Sequence, residues 1–151
     1  MIKTNIYDAS RKPEENEKND IIEFLYTHLE EFGDSREDIR KAIDYALEEV
    51  SSFGGFLITS IHDKEISGVV VVNRTGMQGY IPENILVYIA THKDLRGQGI
   101  GKALMKISVD HADGDVALHV EPENPAKYLY EKIGFTNKYL EMRYKKSVHQ
   151  N

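Results

Sequence analysis

"NILVYIATHKDLRGQGIGKALMK" (84–106) is the stretch on which the reading of the fold turns. Its first eight residues are apolar nearly throughout, the pattern of a strand buried on both faces. Then "LRGQGIGKALMK" (95–106) carries glycines at 97, 99 and 101, with Arg96 before them and apolar residues at helical spacing behind. A helix over about 99–112 is predicted, and "DVALHV" (115–120) reads as the next strand. A helix joining two neighbouring strands implies that they run parallel, because a hairpin cannot make that crossover.

The glycine loop fits an anion cradle. Glycines let backbone approach a ligand closely, the first amides of a helix have no internal partner, and the helix dipole favours negative charge. Two familiar phosphate loops are excluded by spacing. G-x-G-x-x-G from Gly97 would need glycine at 102, which is Lys102. G-x-x-x-x-G-K-[ST] ending at Gly101-Lys102 would need glycine at 96 and Ser or Thr at 103, where Arg96 and Ala103 stand. R-x-x-G-x-G after an apolar strand remains.

Outward from this unit, the period of two gives strands at 56–61 and 66–72, joined by the turn "HDKE". A short first strand is expected near Ile2 to Tyr7. The period of 3.6 gives a helix from about residue 19 to Phe32, with Gly33 suited to its end. A second helix follows Ser35, which with Asp38 resembles a capping box, and runs to Val50. "NRTGMQGYIPE" (73–83) is a glycine-containing loop. Asn124-Pro125 opens a last helix ending near Gly134, and "YLEMRYKK" (139–146) alternates like a final strand. No repeat or linker divides the chain, so one domain over 1–146 with a short tail at 147–151 is expected. The class is α+β.

Composition narrows the chemistry. At 151 residues, one core of ordinary size can form. There is no Cys, which excludes disulfides, a thiol nucleophile and Cys-bound zinc, and leans toward the cytoplasm. No metal-binding spacing appears. The start "MIKTNIYDASRK" lacks the apolar core of a signal peptide, and no apolar run approaches the roughly 20 residues of a membrane span. Net charge is −6, concentrated in residues 1–50, which hold 14 Asp and Glu against 7 Lys and Arg. Nucleic acid is therefore not an expected partner. The acidic part reads either as a solvated helical surface or as a wall that attracts a cationic small molecule.

R-x-x-G-x-G after a hydrophobic strand resembles the acyl-CoA pyrophosphate motif of the GNAT superfamily of N-acyltransferases. "LHVEPENPAKYLYEKIGF" (118–135) resembles that family's next strand and helix, in the right order and about twenty residues on. The resemblance covers about 55–145. Residues 1–54 match in pattern only. It implies a mixed, mostly antiparallel central sheet with helices on both faces, and a parallel strand pair splayed around the cofactor acetyl-CoA. It implies acetyl transfer to a primary amine, on a small molecule or a peptide, by direct attack in a ternary complex. A non-catalytic acyl-CoA-binding sensor of the same fold is the alternative. Dimers are common in the superfamily, so a homodimer is possible by analogy.

The resemblance also assigns residues. The amides of Gly97, Gln98, Gly99, Ile100, Gly101 and Lys102 would hold the pyrophosphate, with Arg96 adding charge. The strand end at Ile89, Ala90 and Thr91 would pair with the pantetheine arm. Lys93 stands where the family often has Pro. Asn124 reads both as a helix cap and as a cofactor neighbour, and Lys127 either reaches a phosphate or is solvated. Tyr130 matches the Tyr of "LYEK" and is the expected general acid toward the leaving thiolate, while its place on an apolar helical stripe also suits a packing role. Tyr128 is the poorer candidate. For the base, Glu83, His119 or a water chain stand open. His92 reads as a turn residue. Tyr26, Glu30, Tyr80, Glu83 and His119 are the candidate acceptor contacts, and the acidic bias points to a cationic amine.

Overall fold

The computed structural model describes residues 2–146, and the predicted tail at 147–151 lies outside them. Strand β1 (Lys3–Tyr7) is followed by helix α1 (Glu15–His28), a 3-10 turn (Glu30–Phe32) and helix α2 (Arg36–Ala46). Strands β2 (Gly55–His62), β3 (Glu65–Arg74) and β4 (Asn84–Thr91) come next. After a 3-10 turn (Lys93–Leu95) come helix α3 (Ile100–His111), the short strand β5 (Val116–Leu118) and helix α4 (Ala126–Ile133).

Among the described residues these strands form one sheet in the order β1-β2-β3-β4-β5. The first three pairings are antiparallel, and β4 with β5 is parallel, as the helical crossover requires. The β2–β3 hairpin turns on Asp63 and Lys64, both with positive φ (49° and 67°), the conformation whose twist suits a two-residue hairpin.

The sheet buries both faces. On one, Ile21, Leu25, Ile39, Ile43 and Leu47 of the first two helices and the segment after them pack on Leu57, Val69, Val71, Tyr88 and Ala90. On the other, Leu104, Met105 and Tyr130 pack on Phe56, Ile58, Val70, Val72 and Leu86. The valines of β3 thus serve two cores in alternation, which is why that run reads as continuous apolar sequence. In β4 the alternation breaks once. The register slips between Val71 and Val72, so that Leu86 and Tyr88 face consecutive β3 residues and Val87 is the extra one. The bulge turns Leu86 to the α3 side and Tyr88 to the α1 side. β4 is more open than its apolar sequence implies, since every second residue is only half-buried.

Helix ends differ from the sequence expectation where side chains decide them. Helix α1 starts at Glu15, earlier than expected, and stops at His28, because Glu30 takes a positive φ of 55°. Gly33 has a φ of −102° and supplies no left-handed cap. Ser35 does cap α2, accepting the Asp38 N–H at 3.2 Å. That helix ends at Ala46, short of Val50.

The expected strand at 139–146 does not form. The segment has no regular structure, and Tyr139, Leu140 and Met142 are 80, 84 and 89% exposed. Alternation alone does not make a strand. It needs a ladder, and β5, with three residues, offers a short one.

Candidate active site

The loop after β4 is shaped by its glycines. Gly97 and Gly99 have φ of 82° and 84°, where an L side chain is strained. A Cβ built on either meets no atom within 4 Å, so the space beyond is open. The left-handed turn serves to face backbone outward, not to fit glycine into a crowded place. None of the amides of residues 97–102 donates a hydrogen bond to a described residue. Helix α3 starts on Gly99, has no acidic residue in its first turn, and carries exposed Lys102 there. A lysine at that end opposes the helix dipole, and an anion on the loop relieves the conflict. These residues therefore fit a pyrophosphate.

Beside the loop the sheet is split. β5 pairs with β4 only at residues 84–86, opposite 116–118. On that side, β4 residues 87–91 have no strand partner among the described residues, leaving an edge of backbone donors and acceptors. The Ile89 side chain packs in the α3 core and Ala90 in the α1 core. Thr91 meets the loop helix. A Cβ on Gly101 would lie 3.4 Å from the Thr91 hydroxyl and 3.5 Å from Leu129, so the end of β4, the first turn of α3 and helix α4 converge here.

Helix α4 brings Tyr130 to this junction. The residue is 8% exposed, among Leu86, Leu104 and Met105, with the Phe135 ring 6.1 Å away. Burial alone pushes its phenol up to about 12. Asn124 accepts the Ala126 N–H at 2.9 Å from one residue before the N-cap, which is Pro125 and not Asn124. Lys127 is half-buried, and its ammonium lies 5.3 Å from the Tyr128 ring centre. His119 is exposed just beyond β5.

A cleft of about 580 Å³ opens at the same end of the sheet, lined by Glu30, Glu31 and Phe32 on one side and Glu121, Glu123 and Pro125 on the other. Arg96 also borders it. One guanidinium nitrogen lies 2.9 Å from Glu30 Oε1 and another donates to the His28 carbonyl at 2.9 Å. Arg96 is thus tied to the wall of the cleft that carries His28 and Glu30. The sequence reading missed Glu31, Glu121 and Glu123. Its available signal was "EPE" (121–123), two carboxylates in the turn before helix α4, where the Asn124 N–H donates to the Glu121 carbonyl at 2.9 Å.

The remaining candidates stand apart. Glu83 sits at the closed end of the split, where Asn84 pairs with Val116. Its Oε1 accepts the Asp115 N–H at 2.8 Å and its Oε2 the Gly79 N–H at 3.0 Å. Those amides hold its carboxyl below the usual range. Tyr80 is 81% exposed on the neighbouring loop. Tyr26 lies on the outer side of α1, its ring centre 3.9 Å from the Arg36 guanidinium. The structure brings Glu30, Arg96, residues 97–102, residues 89–91, Asn124, Lys127 and Tyr130 to one end of the molecule, and leaves Glu83, Tyr80 and Tyr26 outside that group. No helix of the described residues is long and apolar enough to cross a membrane.

Among curated proteins, none matches this sequence. Solved structures do. A GNAT-family acetyltransferase of Streptococcus pneumoniae is 16% identical, with 97% of this chain and 98% of that one covered and a TM-score of 0.68. A putative acetyltransferase of Pyrococcus furiosus is 25% identical over 95% and 99%, with a TM-score of 0.60. A ribosomal-protein-alanine N-acetyltransferase of Brucella melitensis is 18% identical over 96% and 99%, with a TM-score of 0.65. The family model of the acetyltransferase (GNAT) domain matches residues 53–137, which hold the split sheet, the glycine loop and helix α4. With more than half its length matched, the chain belongs to the GNAT acetyltransferases, acyltransferases that use acetyl-CoA.

Proposed function

We propose that this protein is an N-acetyltransferase that acetylates a primary amine on a small or peptidic cationic acceptor by direct attack. The observation that carries the reading is the junction of the open glycine loop, the unpaired edge of β4 and the carboxylate-lined cleft. Acetyl-CoA supplies the acetyl group as an activated thioester.

Each part of the chain has a separate task. The amides of residues 97–102, with Lys102, hold the pyrophosphate. The edge at Val87, Ile89 and Thr91 accepts the extended arm as a strand would, which fixes the reacting carbon along β4. Tyr130 then donates a hydrogen bond to the sulfur. A phenol at about 12 is a weak proton donor toward a thiolate, whose thiol has an ordinary pKa of about 8.5; full transfer is uphill by roughly 5 kcal/mol. Its role is therefore to stabilise charge as it develops on sulfur, which needs a donor that keeps its proton.

The cleft draws the acceptor. Glu30, Glu31, Glu121 and Glu123 give it negative charge, which concentrates cations. The amine must shed a proton before it attacks. Glu83 is poorly suited to take it, since both oxygens already accept amides. Solvent bordered by Glu121 and Glu123 is the better route.

That same engagement of Glu83 favours one other reading, an acyl-CoA-binding sensor without turnover. A screen of diamines, polyamines, amino sugars and basic peptides that follows release of free CoA separates the two. Turnover with cationic amines is expected. Tight acetyl-CoA binding without turnover on any amine would replace the enzyme with the sensor.

A further inference from the structure

The last turn of α1 holds the start of the glycine loop through one residue, His28, by its imidazole and its backbone carbonyl. His28 is 8% exposed. Its ring contacts those of Phe24 and His92, with centroids 4.5 and 4.2 Å away and planes tilted by 42° and 39°. Its Nδ1 accepts the Lys93 N–H at 3.2 Å, and its carbonyl accepts from Arg96 at 2.9 Å. His92 in turn accepts the Asp94 N–H on its own Nδ1 at 3.1 Å. One residue of α1 thus fixes both the backbone and a side chain of the segment that leads into the phosphate cradle. An Nδ1 that accepts an N–H carries no proton, so this arrangement belongs to neutral His28 with its hydrogen on Nε2.

We infer that His28 is a positioning residue for the cofactor loop: its neutral imidazole anchors the Lys93 amide beside the Arg96 that its carbonyl holds, and protonation releases the Lys93 anchor and weakens acetyl-CoA binding. This rests on the reading of residues 97–102 as the pyrophosphate site. Protonated, Nδ1 would present a second N–H to the Lys93 N–H, donor against donor. The surroundings disfavour that form. Burial is the largest influence, followed by His92, Arg96 and Lys93, all of which lower the proton affinity of His28, while Asp94 alone raises it. Glu30 faces Arg96 and moderates its charge. With the proton affinity lowered, the neutral anchor persists at neutral pH and is lost as pH falls below the ordinary imidazole value of about 6.5. His28 touches no reacting atom, so it sets the position of the loop and not the chemistry.

The test is calorimetric titration of acetyl-CoA into the wild type, His28→Asn, His28→Phe and His92→Asn from pH 8 to pH 5. Asn places an oxygen near the Nδ1 position and cannot be protonated in this range. Phe keeps an aromatic ring in the tilted contacts with Phe24 and His92 and has no acceptor. At pH 8, His28→Phe is expected to bind about fivefold more weakly, the order expected of one lost hydrogen bond, and His28→Asn to recover most of that loss. As the pH falls, the wild type and His92→Asn should lose affinity by about another tenfold relative to His28→Asn, which carries the same titrating ligand phosphates as background. Parallel curves for the wild type and His28→Asn overturn the inference. So does a profile that flattens in His92→Asn and not in His28→Asn. Absence of binding by the wild type at every pH would instead overturn the pyrophosphate reading itself.

Discussion

Glu83 Oε1 accepts the Asp115 N–H at 2.8 Å, and this bond ties the head of β4 to the turn before β5 at the closed end of the split sheet. With the second bond to Gly79, it makes Glu83 a staple between three segments that the chain visits separately. Replacing it by Gln should lower the melting temperature at pH 7 and leave kcat within about threefold, since loss of a general base costs far more, about a hundredfold or above. The carboxyl is held below its usual range, so its contribution is present above about pH 4.3 and fades as the pH falls further. Melting curves of the wild type and Glu83→Gln should therefore converge as the pH falls below the usual carboxylate range. A hundredfold loss of kcat with unchanged melting would make Glu83 the base.

Tyr130→Phe keeps the packing against Leu104 and Met105 and removes one donor. It should lower kcat about a hundredfold, the order expected when one donor to a developing charge is lost, with acetyl-CoA affinity unchanged. Because burial pushes the phenol up to about 12, the wild type should show no alkaline loss of activity from this group up to pH 10. Stopped-flow rates with titrations of the cofactor check both points. Equal rates for the two proteins would reduce Tyr130 to a packing residue.

The acidic cleft predicts salt dependence. For a dicationic acceptor, Glu121→Gln with Glu123→Gln should raise KM about tenfold at low salt, and the difference should shrink above about 0.5 M salt, where screening lengths fall below contact distances across the cleft. Steady-state kinetics at two ionic strengths read this directly. A neutral amine used as well as a diamine would remove the electrostatic argument for the acceptor.

What could be read from sequence divides along physical lines. The α3 unit was legible because its signals are local: an apolar run, glycines at 97 and 99 that need positive φ, then helical spacing. Ser35 as a cap was legible for the same reason. The strand at 139–146 was not, because a strand is defined by its partner and alternation does not name one. Glu83 looked like a free carboxylate because its partners lie 4 residues behind and 32 ahead. The lip of the cleft was invisible for a like reason. Glu30 and Glu121 line one cleft only once the turn after α1 and the segment after β5 are folded to the same end of the molecule.

The role of residues 97–102 is tested most directly by the binding of acetyl-CoA against acetyl-pantetheine, which carries the same thioester arm and no pyrophosphate. Calorimetry on the wild type and Gly99→Val measures both. If residues 97–102 hold the pyrophosphate, the wild type binds acetyl-CoA at least about a hundredfold more tightly, and most of that advantage disappears in Gly99→Val, whose side chain projects into the open side of the cradle. Equal affinities for the two ligands in the wild type, or an advantage that survives in Gly99→Val, would contradict it.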